Sequence, residues 1–275
     1  MGLKIVLLAA AAALTTGAAQ AATVEFKDAV ARVTVIPEDR PDIKVEVAAP
    51  RARLPLDVRP SADRVVVDGG LDRIGACRGS GDKVHVKVRG VGRVAWQDMP
   101  EVVVRTPLDV KIESDGAVYG SVGRSNAFEL RTSGCSGWTI ANVAGDARVR
   151  TSGAGSVRMG EVGRLDVDLS GAGGLRAVRV RDGMSAGLSG AGGVDVERLD
   201  GSLQAKVSGV GHVQIDGGRA SHVRASVSGV GGVDFGGTAD SLDATVSGIG
   251  SIHVREVNGP VRKSVSGIGG VKVGD

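Results

Sequence analysis

From Val24 onward the chain alternates apolar and polar residues. Val24, Phe26, Val30, Val33 and Val35 come first, and Ile43, Val45 and Val47 follow the Pro37–Pro41 turn. Period two is the signature of a strand with one face buried. From residue 152 the alternation locks into a repeat. Ser-Gly-(Ala/Val/Ile)-Gly begins at Ser152, Ser170, Ser189, Ser208, Ser228, Ser247 and Ser266, spaced by 18, 19, 19, 20, 19 and 19 residues. With each Ser as position 0, position +5 is apolar in every copy (Val157, Leu175, Val194, Val213, Val233, Ile252, Val271), and so is +7. Positions −5, −3 and −1 are nearly so. Each unit therefore predicts a strand, a Ser-Gly corner, a second strand and a turn such as Asp182-Gly183 or Asn258-Gly259. A unit this short cannot enclose a core, so it must stack on its neighbours. The expected fold is all-β, a single-stranded β-solenoid with coils of about 19 residues. At ~4.8 Å per coil, nine or more coils make a rod roughly 45–55 Å long.

The register extends upstream through Ser133-Gly134-Cys135, which precedes Trp138 at +5 and Ile140 at +7, and through Arg89-Gly90-Val91-Gly92, which precedes Val94 and Trp96. Glu113 fits more loosely. Both tryptophans then fall on core ladders. One domain is expected over residues 22–275, with an irregular cap and first coils at 22–83 and repeat coils at 84–275. Residues 69–82 are Gly-rich and read as a loop. Down the coils position −3 shrinks from Leu130 to Ala244 while +2 grows from Cys135 through Ala to Val and Ile249. Close-packed interiors favour such exchange, so these two sets are expected to face each other across the core. The last coil carries Lys263 at −3, which predicts an opened end and an edge through which copies could associate.

Composition narrows the function. Six aromatic residues in 275 leave the core to Val, Ile, Leu and Ala, and the formal net charge of +3 is scattered. Neither a clustered basic face nor stacking platforms are present, so nucleic acid is not an expected partner. Lys4, the apolar run Ile5–Leu14 and Ala19-Gln20-Ala21 predict a signal peptide over residues 1–21, with a mature start at Ala22. No later segment is apolar enough for a transmembrane anchor. The expected location is periplasmic, secreted or cell-surface-associated. There Cys77 and Cys135 can pair, or remain as two buried thiols; they sit two to three coils apart, so pairing requires the Gly-rich loop to fold back.

Candidate chemistry is sparse. The Gly-x-Gly pairs open no helix and do not extend to Gly-x-Gly-x-x-Gly, so they read as corners. Asp195 and Asp234 follow Gly-Gly-Val in only two coils, too few for calcium-binding repeats. They could serve as a carboxylate pair for glycoside chemistry, but sit two coils apart with Gln214 between them. His85, His212, His222 and His253 lack metal-ligand spacing. No catalytic residue, metal or cofactor is expected. The seven corner serines predict a hydroxyl ladder, and unlike charges at −4 (Arg148, Asp166; Arg224, Asp243, Arg262) predict ion pairs between coils.

The export signal, the Ser-Gly-x-Gly corners every 19 residues and the strands around them resemble the bacterial family named putative auto-transporter adhesin, head GIN domain. The likeness spans most of the chain after residue 21 and is strongest from Arg89 to Val273. It implies a right-handed parallel β-helix, while the regular repeat and the missing catalytic cluster lead to the expectation of an adhesin-like, non-enzymatic module that binds an envelope protein or glycan. The alternatives are a carbohydrate-active enzyme and a self-assembling structural protein. Family members often carry Gly-x-Gly-Asp at the corner. Here Gly174, Gly193, His212 and Ser251 replace the acid.

Overall fold

The computed structural model describes residues 23–61, 64–79 and 81–274, so the signal-peptide reading lies outside the described residues. Almost everything is strand. Two single turns of 3-10 helix, Gly81–Lys83 and Trp96–Asp98, are the helical elements among the described residues, and turns and short loops make up the rest. The strands stack in parallel with a period near 19 residues as a β-solenoid of about nine turns.

Each coil contributes to two main ladders. The leading ladder stacks the residues before each corner, from Ala147–Thr151 and Leu165–Leu169 down to Val261–Val265. The trailing ladder stacks those after it, with Ala154, Ala172, Ala191, Val210, Val230, Ile249 and Ile268 in register. A short third side closes the section through buried Val143, Val162, Val180 and Leu199. Positions −5, −3, −1, +5 and +7 point inward and form one continuous apolar core, largely aliphatic with Phe128, Trp138 and Phe235 among its members.

Position +2 does not face −3. The −3 residues from Leu130 to Ala244 are buried, whereas Val210, Val230 and Ile249 at +2 are 59%, 46% and 54% exposed. The two sets lie on opposite sides of the backbone, which overturns the expectation of exchange across the core. Strand parity is the reason. With +5 and +7 inward, +2 shares the outward side with +4 and +6. Buried volume grows instead at −1, where Thr132 and Thr151 give way to Leu169, Leu188 and Val207.

The corner glycines answer to close stacking. A Cβ on Gly173 would stand 1.9 Å from the carbonyl oxygen of Gly155 in the preceding coil. The backbone at the corner is directed along the rod, so any side chain there would meet the coil before it. The corner serines hold this stack mainly through their backbones. Ser170 N–H donates to the Thr151 carbonyl at 2.9 Å, and Ser208 N–H to that of Leu188 at 2.8 Å.

The N-terminal end departs from simple winding. The first strand, Thr23–Pro37, is flanked on one side by Arg64–Asp68 and Glu101–Thr106 and on the other by Asp109–Val122, all in parallel. Glu101–Thr106 thus supplies a regular rung. In the rung Asp109–Val122, the residue aligned with the corner is Asp115, two residues beyond Glu113. Lys44–Ala49 and Asp57–Pro60 add antiparallel edge strands.

Residues 74–95 form no coil. Ile74–Arg78, His85–Val88 and Gly92–Ala95 make a separate three-stranded antiparallel sheet. Arg89-Gly90-Val91-Gly92 is the turn of its second hairpin, with φ of +77° at Gly90 and +98° at Gly92. The repeat coils therefore begin later than residue 84, and the Gly-rich loop contains a strand. This small sheet buries Val84, Val86, Val88 and Val94 against Val30, Ala117, Tyr119 and Cys135, on the outside of the rod.

At the other end Val261–Val265 pairs regularly with Leu242–Val246 but is exposed along its whole length. Lys263 is not buried there. Its Nζ reaches across the open section to donate to the Val271 carbonyl at 3.3 Å.

Candidate functional site

Many outward charges pair with neighbouring coils. Arg148 Nε meets Asp166 at 3.0 Å, Arg150 Nε meets Asp168 at 3.2 Å, and Asp243 lies 3.6 Å from Arg224 and 3.4 Å from Arg262. Exposed pairs of this kind contribute about 0–1 kcal/mol each, and less in salt. Of these, Arg150 and Asp168 line a groove of about 630 Å³ along the leading side, with Glu113, Asp115 and Arg131. Within it Arg131 bonds Glu113 at 3.3 Å, and Ser133 Oγ donates to Asp115 at 3.1 Å.

The two candidate carboxylates do not converge. Asp195 accepts from Arg176 at 3.1 Å and lies 3.1 Å from His212 Nε2. Asp234 lies 3.0 Å from His253 Nδ1. His253 Nε2 faces the Gly274 carbonyl at 3.0 Å, so both ring nitrogens face acceptors. The hydrogen bond to Asp234 comes first among the causes that raise the pKa of His253, and the Gly274 carbonyl adds to it. Further along, Asp200 is held below the usual carboxylate range: burial pushes it up, and hydrogen bonds from Arg179 and Arg198 outweigh that. Among the described residues no group of three or more His, Cys, Asp or Glu could hold a metal ion.

All seven corner serines are exposed. Where their hydroxyls bond within the chain, they reach backbone: Ser170 Oγ donates to the Thr151 carbonyl and Ser208 Oγ to that of Leu188, both at 3.3 Å. They pair through the backbone instead of forming the hydroxyl ladder.

One place breaks the repetition. Cys77 and Cys135 are joined as a disulfide with a Cα separation of 6.1 Å. The coil count that set them apart does not apply, because the small sheet folds back over the trailing ladder and carries Cys77 onto the rod's outer face. Cys135 is accordingly buried by the sheet and not by the aliphatic core. A cleft of about 370 Å³ opens between sheet and rod, lined among others by Cys77, Trp96, Tyr119, Ser136, Ser156 and Arg158.

Its chemistry is unlike that of the remaining surface. Trp96 sits on no core ladder. It lies in the turn after the sheet, edge-on to Tyr119 with ring centroids 5.8 Å apart and with the Arg32 guanidinium 5.6 Å above its ring. Arg32 is in turn paired with Glu101. Burial drives the Tyr119 hydroxyl up to about 12, so it remains a neutral donor at physiological pH. Arg158, exposed at +6, makes no hydrogen bond or ion pair with any described residue. Trp138, by contrast, is buried in the core.

Sequence reasoning missed Tyr119 and Arg158 and misplaced Trp96. The signal that could have found them is the hairpin pattern, His85–Val88 and Gly92–Ala95 around a short Gly-bearing turn.

The chain matches no known protein-family profile and no curated protein. Among solved structures it is similar to a crystal structure titled "putative adhesin" from Bacteroides fragilis. The identity is 15% and the TM-score 0.41, over 92% of this chain and 93% of that one. Among the described residues no helix is long and apolar enough to cross a membrane.

Proposed function

We propose that this is an exported, non-enzymatic, adhesin-like module of the bacterial cell envelope, a head GIN-type β-helix, whose ligand site is the cleft beside the disulfide. The carrying observation is that Arg158, which makes no hydrogen bond or ion pair with any described residue, lines a cleft walled by Trp96 and Tyr119. Aromatic faces pack on the apolar face of a sugar ring, and a free guanidinium grips a carboxylate in two hydrogen bonds. The chemistry fits a glycan bearing acidic rings. The cleft's size falls within the ~300–1,000 Å³ range of ordinary ligand sites. Trp96 is held in place by Arg32 and Tyr119, so little ordering cost remains to be met on binding.

A glycan array spanning neutral and uronate-containing polymers tests this reading. Binding is expected on acidic glycans alone, with Trp96→Ala and Arg158→Gln each weakening it ten-fold or more. Binding indifferent to both substitutions would overturn it. So would chain cleavage of a bound polymer that is lost in Asp195→Ala or Asp234→Ala, since that outcome belongs to a carbohydrate-active enzyme. Export is read separately, as N-terminal sequencing of the periplasmic or secreted form starting at Ala22.

A further inference from the structure

At the start of one leading strand, strand parity and coil stacking bring three side chains together. The buried Leu242, which opens the strand Leu242–Val246, separates Ser241 from Asp243, so these two share the outward face of one coil. Val223 of the preceding coil stacks in register on Leu242, which sets His222 directly beside Ser241. The imidazole reaches both neighbours. Nδ1 lies 2.8 Å from Ser241 Oγ, and Nε2 lies 3.4 Å from Asp243 Oδ2. The same position in the other repeats, −6 from the corner, holds Asp146, Arg164, Gly183, Ser202 and Pro260. The grouping is therefore a departure from the repeat.

A hydroxyl, an imidazole and a carboxylate in this order are the parts of an activated nucleophile. With the Nε2 proton directed at Asp243, Nδ1 is left as the acceptor for the Ser241 hydroxyl. Nε2 is closed off from solvent, and Asp243 is the partner within reach. Asp243 is itself fixed from both sides, by Arg224 of the preceding coil at 3.6 Å and Arg262 of the following coil at 3.4 Å. The Ser221 carbonyl, 3.3 Å from Ser241 Oγ, competes for the hydroxyl proton at the longer distance. Contacts such as that between Nε2 and Asp243 commonly tighten once a reacting group is bound.

We propose that Ser241 is a nucleophile that takes an acyl group from an activated ester, with His222 as its general base and Asp243 as a positioning residue. Oγ bonds to the acyl carbon while the ester's own C–O bond breaks. The Oγ proton passes to Nδ1 and from there to the departing alkoxide. The products are a free alcohol and a serine ester that joins the acyl group to the rod.

The surroundings make this step stoichiometric. Ser241 is half-exposed and lines neither the groove nor the cleft described above, so the acyl group arrives from open solvent. One backbone donor, the N–H of Ser241 itself, makes no hydrogen bond with a described residue and is free to face the developing oxyanion. Acyl-transfer enzymes aim two such donors at that oxygen, and losing one costs about 10²–10³ in rate. An activated ester tolerates that loss. The alkyl ester left on Ser241 is a poorer electrophile and persists. The rod gains a covalent attachment point and remains a binding module.

The test is incubation of the purified protein with p-nitrophenyl acetate, with the acetyl groups located by peptide mass spectrometry. Ser241 should be acetylated about ten-fold or more faster than the exposed Ser202, which holds the same position one coil before His222. The p-nitrophenolate release that is lost in Ser241→Ala should stop near one equivalent. His222→Gln should slow acetylation of Ser241 about a hundred-fold. Asp243→Asn should slow it too, and Asp243→Glu should restore part of the rate. All three positions point outward, so circular dichroism should show the fold intact in every variant. Acetylation spread evenly over the serines, or a Ser241 rate indifferent to His222→Gln, would overturn the proposal. So would Ser241-dependent release of phenolate well beyond one equivalent, because that is turnover.

Discussion

Removing the Cys77–Cys135 bridge, as the Cys77→Ser/Cys135→Ala double variant, should loosen the small sheet from the rod. Alanine is chosen at 135 because three later coils carry Ala in that column. The bridge closes a segment with a sequence separation of 58. In the chain-entropy account a loop of that length contributes about 4 kcal/mol. What remains after its loss is the burial of Val84, Val86, Val88, Val94 and Met99, each nearly or fully enclosed. At roughly 1.5–3 kcal/mol per buried aliphatic side chain, these keep the sheet docked in water. The variant should therefore fold and fail early. Repeat arrays need not unfold in one step, so the readout has to be local. Trp96 reports the sheet and Trp138 the rod core, and single-tryptophan variants separate them. With a urea m value of about 2 kcal/mol/M, the Trp96 transition should fall by up to ~2 M. The Trp138 transition should move much less. Equal shifts in both would refute the idea that the bridge acts on the sheet. A Trp96 transition that does not move, or two free thiols in the unreduced denatured protein, would refute the bridge's role altogether.

Two other predictions concern the coils. Gly173→Ala places a methyl 1.9 Å from the Gly155 carbonyl oxygen and should cost about 2–4 kcal/mol by thermal or urea unfolding. Gly75→Ala meets nothing within 4 Å and should be neutral or slightly stabilising. His253 links the last coils, and its raised pKa sets the sign of a pH effect. Its contribution is fully present below the unfolded value of about 6.5 and fades as pH rises through the raised folded value. An NMR titration should place His253 above the ordinary histidine value, and amide exchange at residues 268–273 should accelerate, beyond the intrinsic rate change, over that window. His253→Gln should abolish the extra acceleration.

The parallel coils were legible because each one repeats the environment of the last. Val157 and its counterparts at +5 occupy one column, so a single rule places them all. The parity of +2 was equally written there and was overridden by the size trend, which suggested exchange across the core. The cleft was not legible for a different reason. Arg89-Gly90-Val91-Gly92 has the spacing of a corner and the chemistry of a hairpin turn, and only pairing partners tell the two apart. Once 84–95 is read as coil, Trp96 falls on a core ladder and Cys77 lies out of reach of Cys135. The two errors have one origin. Arg158 looked ordinary because the absence of an ion-pair partner depends on what stands beside it in space.

The position of the first strand has a consequence for how the molecule is made. Thr23–Pro37 has both edges occupied, by Arg64–Asp68 and Glu101–Thr106 on one side and by Asp109–Val122 on the other. A chain emerging amino end first therefore presents a long apolar strand whose final neighbours do not yet exist. The interval from residue 37 to residue 122 is 85 residues, or about 4–17 s at ordinary rates of synthesis. Through that time the segment is an open template for mispairing, and it becomes native only when the chain doubles back to enclose it. The rod is thus not spooled from its beginning. Its opening turn is a clasp that shuts late, and whatever escorts the nascent chain must shield that one segment longest.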